Sequence, residues 1–143
     1  MNKKFLISWL VAFLVWTAGG FVVHVLWLTG DYEKLANLAR PEADQEALMH
    51  FMLLAHIIMA GAFVWIYQRG NENKPWMEQG LRYGVAIALL APIPTYMMYY
   101  VIQPTTGMLT IKQSVGDTVV VIIVALIVAF LNKPTAVSSG DAA

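Results

Sequence analysis

Cysteine does not occur among the 143 residues, and this one absence excludes disulfides, thiolate metal sites, iron–sulfur clusters and thiol redox chemistry. Charge is nearly as scarce. Charged side chains make up 13% of the chain and apolar ones 59%, against about 25% and about 45–50% in an ordinary soluble domain. A chain so poor in charge offers little to water, so its partners are to be sought in or beside a lipid bilayer. Cations do not outnumber anions, at nine each, so there is no basic excess to gather nucleic acid. A phosphate-binding glycine loop, a zinc-binding histidine pair on a helix, a serine nucleophile elbow and a dinucleotide fingerprint are also missing. Nothing in the sequence supports an enzyme, and the expectation is that the protein is not one.

What the chain has instead is long apolar runs. Four can be cut out, Phe5 to Leu28, Gln45 to Gln68, Trp76 to Ile102 and about Ser114 to Leu131. Each is near or above the roughly 17–25 residues of a spanning helix, and none alternates with period two as a barrel strand would. The expected fold is all-α, an integral-membrane four-helix bundle over residues 1–133 with spans 5–28, 45–68, 76–102 and 114–131. The small polar tail 134–143 is expected to be disordered. Lys3 and Lys4 before an apolar run look like a secretory signal, but the run to Leu28 exceeds the about 7–15 residues of a signal core and reads as a retained span. Lys3, Lys4, Arg69, Lys74, Arg82 and Lys133 fall on one side, and Lys34, Arg40 and Lys112 on the other. The positive-inside rule then puts both termini in the cytoplasm.

Between the first two spans, Tyr32, Leu35 and Leu38 recur at helical spacing before Pro41, which fits either a short amphipathic helix on the membrane surface or a plain polar linker. Small residues in Ala18-Gly19-Gly20 and Ala60-Gly61-Ala62 are expected to let neighbouring helices approach closely.

The chemistry-bearing side chains gather in the half expected to face outward. All three histidines, His24, His50 and His56, fall inside spans, where ionisable groups are functional candidates by default. Antiparallel first and second helices place His24 and His50 at one depth. Glu46 precedes His50 by one helical turn, so a metal set of His24, Glu46 and His50 is conceivable. Met49, Met52, His56 and Met59 make a stripe with the ligand types a soft Cu(I) ion prefers, although methionine more often fills gaps in cores. Asp117 is expected near the outer start of the fourth helix, paired with an imidazole or simply capping the helix through the Ser114-Val115-Gly116-Asp117 pattern. Pro92 and Pro94 leave carbonyls near Ala88 and Leu90 without amide partners and should kink the third span. Beyond them, Tyr96 and Tyr100 share one face, directed either into the bundle or into an aromatic belt.

The Gly20-x-x-x-His24-x-x-Trp27 close to the first span, within a short chain of four spans, resembles small four-helix bacterial inner-membrane proteins. The resemblance implies a bacterial inner membrane and assigns neither an activity nor a functional residue. The residues themselves leave three readings. In the first, a membrane binding or accessory protein uses a polar cup of His24, His50, His56, Asp117, Tyr96 and Tyr100 to hold a small ligand, a metal ion or a segment of a partner. Its partners would be the bilayer and another membrane protein or a second copy. In the second, a redox subunit carries haem b on His24 and either His50 or His56. In the third, a small oligomeric transporter relays protons through His56 and Asp117.

Overall fold

A computed structural model describes residues 2–35, 40–72 and 74–133, and among these every regular element is helical. Helix α1 spans Lys3–Gly20 and runs into a π-helical segment, Phe21–Trp27. It is followed by α2 (Thr29–Glu33), α3 (Glu42–Arg69), α4 (Trp76–Leu90), α5 (Pro92–Ile102) and α6 (Gly107–Asn132). Taking α1 with its π-helical end and α4 with α5, four helical rods are long and apolar enough to cross a membrane. Apolar runs of this kind become helices because a helix satisfies its own backbone N–H and C=O groups without polar neighbours.

Local chemistry sets the ends. Asn2 caps α1 by accepting from the Lys4 amide, and Thr106 caps α6 by accepting from the Leu109 amide. Pro75 precedes α4 and Pro92 opens α5, positions where the missing N–H costs nothing. Glu42 and Asp44 in the first turn of α3 and Arg69 in its last complement the helix dipole.

Three boundaries differ from expectation. α6 begins at Gly107, well before Ser114, because the Thr106 cap starts the helix ahead of the purely apolar stretch. Ser114 Oγ therefore donates to the Thr110 carbonyl inside the helix, and Asp117 sits about three turns past the cap, so helix capping does not explain it. At Ala91 the backbone leaves the helical range (φ −120°, ψ −80°), so the tandem prolines divide the third run into two helices rather than kink one. Finally, α2 is a short turn of helix that carries Tyr32 back toward the bundle. Leu38 and the tail 134–143 lie outside the described residues.

α6 is the axis of the bundle, with α1, α4 and α5 packed on it, while α3 is held mainly by α1. The α4–α6 seam is the closest. A Cβ on Gly80 would come within 2.9 Å of Ala129 Cβ, and one on Gly84 within 2.9 Å of Ile122 Cα. Only glycine at this i, i+4 pair lets the two backbones approach so nearly. Gly19 meets Val120 and Gly61 meets Trp9 in the same manner, as the small-residue clusters led one to expect. Trp9 Nε1 also donates to the Ile57 carbonyl at 2.8 Å, fastening α1 to α3.

The terminal end of the bundle, where α1 starts and α6 finishes, is closed by uncharged polar groups. Asn132 Nδ2 donates to Ser8 Oγ at 2.9 Å and to the Val128 carbonyl at 2.8 Å, while its Oδ1 accepts from Gln68 Nε2 at 2.8 Å. Tyr83 donates to the Phe63 carbonyl at 2.7 Å, tying α4 to α3. The opposite, distal end is open on one side. The buried residues of α3 are Ala60, Phe63, Val64 and Tyr67, all in its half near the terminal end, so the other half stands off from α4 and α5.

Candidate functional site

His24 lies in the π-helical segment, where the hydrogen bonds reach across five residues, as from the Leu28 amide to the Val23 carbonyl at 3.0 Å. Such widened turns are rare and recur at functional positions. Because α2 folds back directly afterwards, the Tyr32 hydroxyl arrives 2.7 Å from His24 Nδ1. On the other side of the ring, Nε2 lies 3.1 Å from Asp117 Oδ1 on α6. Tyr96 of α5 donates to Asp117 Oδ2 at 2.5 Å, and Gln113 Nε2 donates to the Tyr32 oxygen at 3.0 Å.

These partners give the chain of hydrogen bonds a direction. The Gln113 amide nitrogen only donates, so the Tyr32 oxygen accepts from it, and in one order of the protons the Tyr32 hydroxyl donates to His24 Nδ1. The imidazole then carries one proton, on Nε2, and donates it to Asp117. Burial pushes the Tyr32 phenol up from its ordinary value, which keeps the proton this order requires. The Asp117 carboxylate accepts from both neighbours, His24 and Tyr96.

A second aspartate nearby is treated differently. Asp31 of α2 is held by Lys112 Nζ at 2.6 Å and by Lys34 Nζ at 3.4 Å, and the Lys112 hydrogen bond keeps its carboxyl below the usual range. Among the described residues no lysine or arginine pairs with Asp117.

Asp117 and Tyr96 also line a cleft of about 510 Å³ between α3 and the α4–α5 rod. Ala62, Phe63 and Ile66 form one wall and Leu90, Thr95 and Tyr99 the other, with Trp16 and Val121 at the back. Trp16 and Phe63 meet edge to face at 5.2 Å, as Tyr96 and Tyr99 do at 6.4 Å. Among the described residues no lysine, arginine or second acid contributes to the lining. The mouth opens on the apolar side of the bundle, where Leu90 is 74% exposed.

Of the residues expected to form one cup, His24, Asp117 and Tyr96 are brought together and the others are not. His50 is exposed on the unpacked half of α3, its ring 4.3 Å from that of Phe51, and Glu46 is exposed one turn earlier. Equal depth did not make His50 face His24, because α3 diverges from the bundle there. The His24, Glu46, His50 metal set is therefore not assembled, and among the described residues no group of three or more histidine, cysteine or acidic side chains is placed to hold a metal ion. His56 faces α1, with Nε2 3.9 Å from where a Cβ on Gly20 would stand and Nδ1 buried without a partner. The partners of Asp117 are His24 and Tyr96, so the relay from His56 is not formed. Both nitrogens of His24 are engaged, Nδ1 by Tyr32 and Nε2 by Asp117. Met49 and Met52 are exposed, and Tyr100 lies beside Gly107 at the distal edge, outside the cleft lining.

Tyr32 and Gln113 were not foreseen as site residues. Their meeting depends on the reversal at Leu28 and on the early start of α6, neither of which leaves a pattern in the sequence. Trp16 did leave a signal, since it lies midway along the first apolar run, away from either end. No protein-family model, curated protein or solved structure matches this chain.

Proposed function

We propose that the protein crosses a bilayer four times with both termini on the cytoplasmic side, as in a bacterial inner membrane. In this reading it is a binding or accessory protein whose cleft takes a small lipid-soluble ligand entering sideways between α3 and α5. The observation that carries it is the cleft itself, about 510 Å³ with apolar walls and its polar groups gathered at Asp117, Tyr96 and Thr95. Binding sites for small molecules have this size and this economy of polar groups. A mouth on the apolar flank faces hydrocarbon once the rods are inserted, so the ligand reaches it through the bilayer.

The test is photolabelling in lipid vesicles with a long-chain alcohol carrying a diazirine, followed by mapping of the adducts. Adducts should concentrate on Ala62, Ile66 and Thr95, and Ala62→Trp, which fills the cleft, should remove them. If labelling simply follows exposure, so that Val101 (84%) and Ile102 (76%) carry most of it, the cleft is not a binding site.

A further inference from the structure

Resting on that reading, we infer that the ligand is a lipophilic organic cation, an ammonium with an apolar body, held by the Asp117 carboxylate among the aromatic side chains of the cleft. Three observations converge. First, Asp117 is the single charged group of the cleft lining among the described residues, and its hydrogen-bond partners are His24 and Tyr96. No lysine or arginine among the described residues pairs with it, whereas Asp31 on α2 has two lysines.

Second, a carboxylate among apolar walls is expensive. The bonds from His24 and Tyr96 offset part of that cost, and an incoming cation removes the remainder. An anion would meet only repulsion, and a neutral amphiphile would leave the charge as it was. Third, Trp16, Phe63, Tyr96 and Tyr99 all line the same space. Aromatic rings attract cations through their quadrupoles, most strongly where water is excluded, so the lining favours an organic cation twice over. A hydrated metal ion gains little here, because the lining supplies one carboxylate and no cluster of ligands.

The experiment uses the full chain in vesicles and the cleft adduct of the diazirine alcohol as readout. Decyltrimethylammonium, decanol and decanoate compete, each compared at equal membrane-bound amount. The cation should displace the label at roughly tenfold lower loading than decanol, an effect of about 1.4 kcal/mol, and decanoate should do no better than decanol. Asp117→Asn should abolish the preference while the cleft is still labelled, and Asp117→Glu should restore much of it. Equal competition by all three, a preference for decanoate, or a cation preference that survives Asp117→Asn would each overturn the inference. These outcomes leave the cleft reading standing. An unlabelled cleft, as when a second copy or a partner helix already fills it, refutes both.

Discussion

The two ends of this bundle solve the same problem, how to keep polar groups among apolar helices, with opposite chemistry. At the terminal end an amide, a hydroxyl and a second amide satisfy one another, and Ser8 is fully buried. At the distal end the groups are ionisable, they are connected in series, and their last member opens into a cleft. Neutral groups that saturate each other make a lock and have nothing left for a visitor. Ionisable groups make a poorer lock, and in the proposed reading the Asp117 carboxylate, which no lysine or arginine among the described residues pairs, is what a ligand would engage.

That contrast is sharpest under a reciprocal exchange. Asn132→Asp should be the most damaging change proposed here, at about 3–5 kcal/mol, because it removes the donors to Ser8 and Val128 and leaves a buried charge facing a carbonyl. Burying the introduced group as a carboxylate costs free energy that burying it as the neutral acid does not. The deficit should therefore be smallest in acid, where the group is neutral in both states, and should grow as pH rises through the range in which the unfolded chain ionises. Thermal unfolding in detergent across pH measures it. A deficit independent of pH would mean that the terminal end tolerates charge and that the two ends do not differ in kind.

Next in size, Gly84→Val forces methyl groups against the Ile122 backbone and should cost about 1–3 kcal/mol by the same measurement. An equal cost for Gly30→Val, where a Cβ meets nothing, would show that helix propensity and not the seam is responsible. Asp117→Asn should change stability by less than about 1 kcal/mol. The amide can accept from Tyr96 and donate to a His24 tautomer protonated on Nδ1, so the network re-forms around it. A loss as large as that of Asn132→Asp would make the distal network structural and erase the distinction. Smallest of all, Lys112→Ala should barely shift the melting temperature near neutral pH. Lys112 lowers the Asp31 carboxyl, so its contribution is present above the unfolded carboxyl value and fades as pH falls through the folded one. A shift that persisted in strong acid would need another source.

Much of the scaffold could be read from hydropathy alone. Runs such as Trp76 to Ile102 announce their length, and the sequence pattern Gly80-x-x-x-Gly84 carried the tightest seam in plain view. The failures have a common cause. Depth along a helix follows from counting residues, and so His24 and Asp117 were rightly placed at one level. Azimuth depends on how each helix leans, and so His50, at the same level, was wrongly given the same neighbours. The π-helical segment compounds this, because each of its turns takes in an extra residue and rotates whatever follows. The capping explanation for Asp117 failed for a simpler reason. Polar residues at the start of α6, Thr110, Lys112 and Gln113, made that stretch look like a loop by hydropathy, although Thr106 caps a continuous helix across it.

The break at Ala91 has one more consequence. Pro92 and Pro94 supply no amide to the turn before them, so α5 is joined to α4 by little more than one swivel of backbone, and its position is set by what it leans on. It leans on α6, and the polar strut between them is the Tyr96–Asp117 hydrogen bond. The side chain that braces the cleft's α5 wall is thus anchored to the very carboxylate that the proposed guest would engage. In the proposed reading, the hold on a guest and the placement of that wall therefore depend on the same tyrosine.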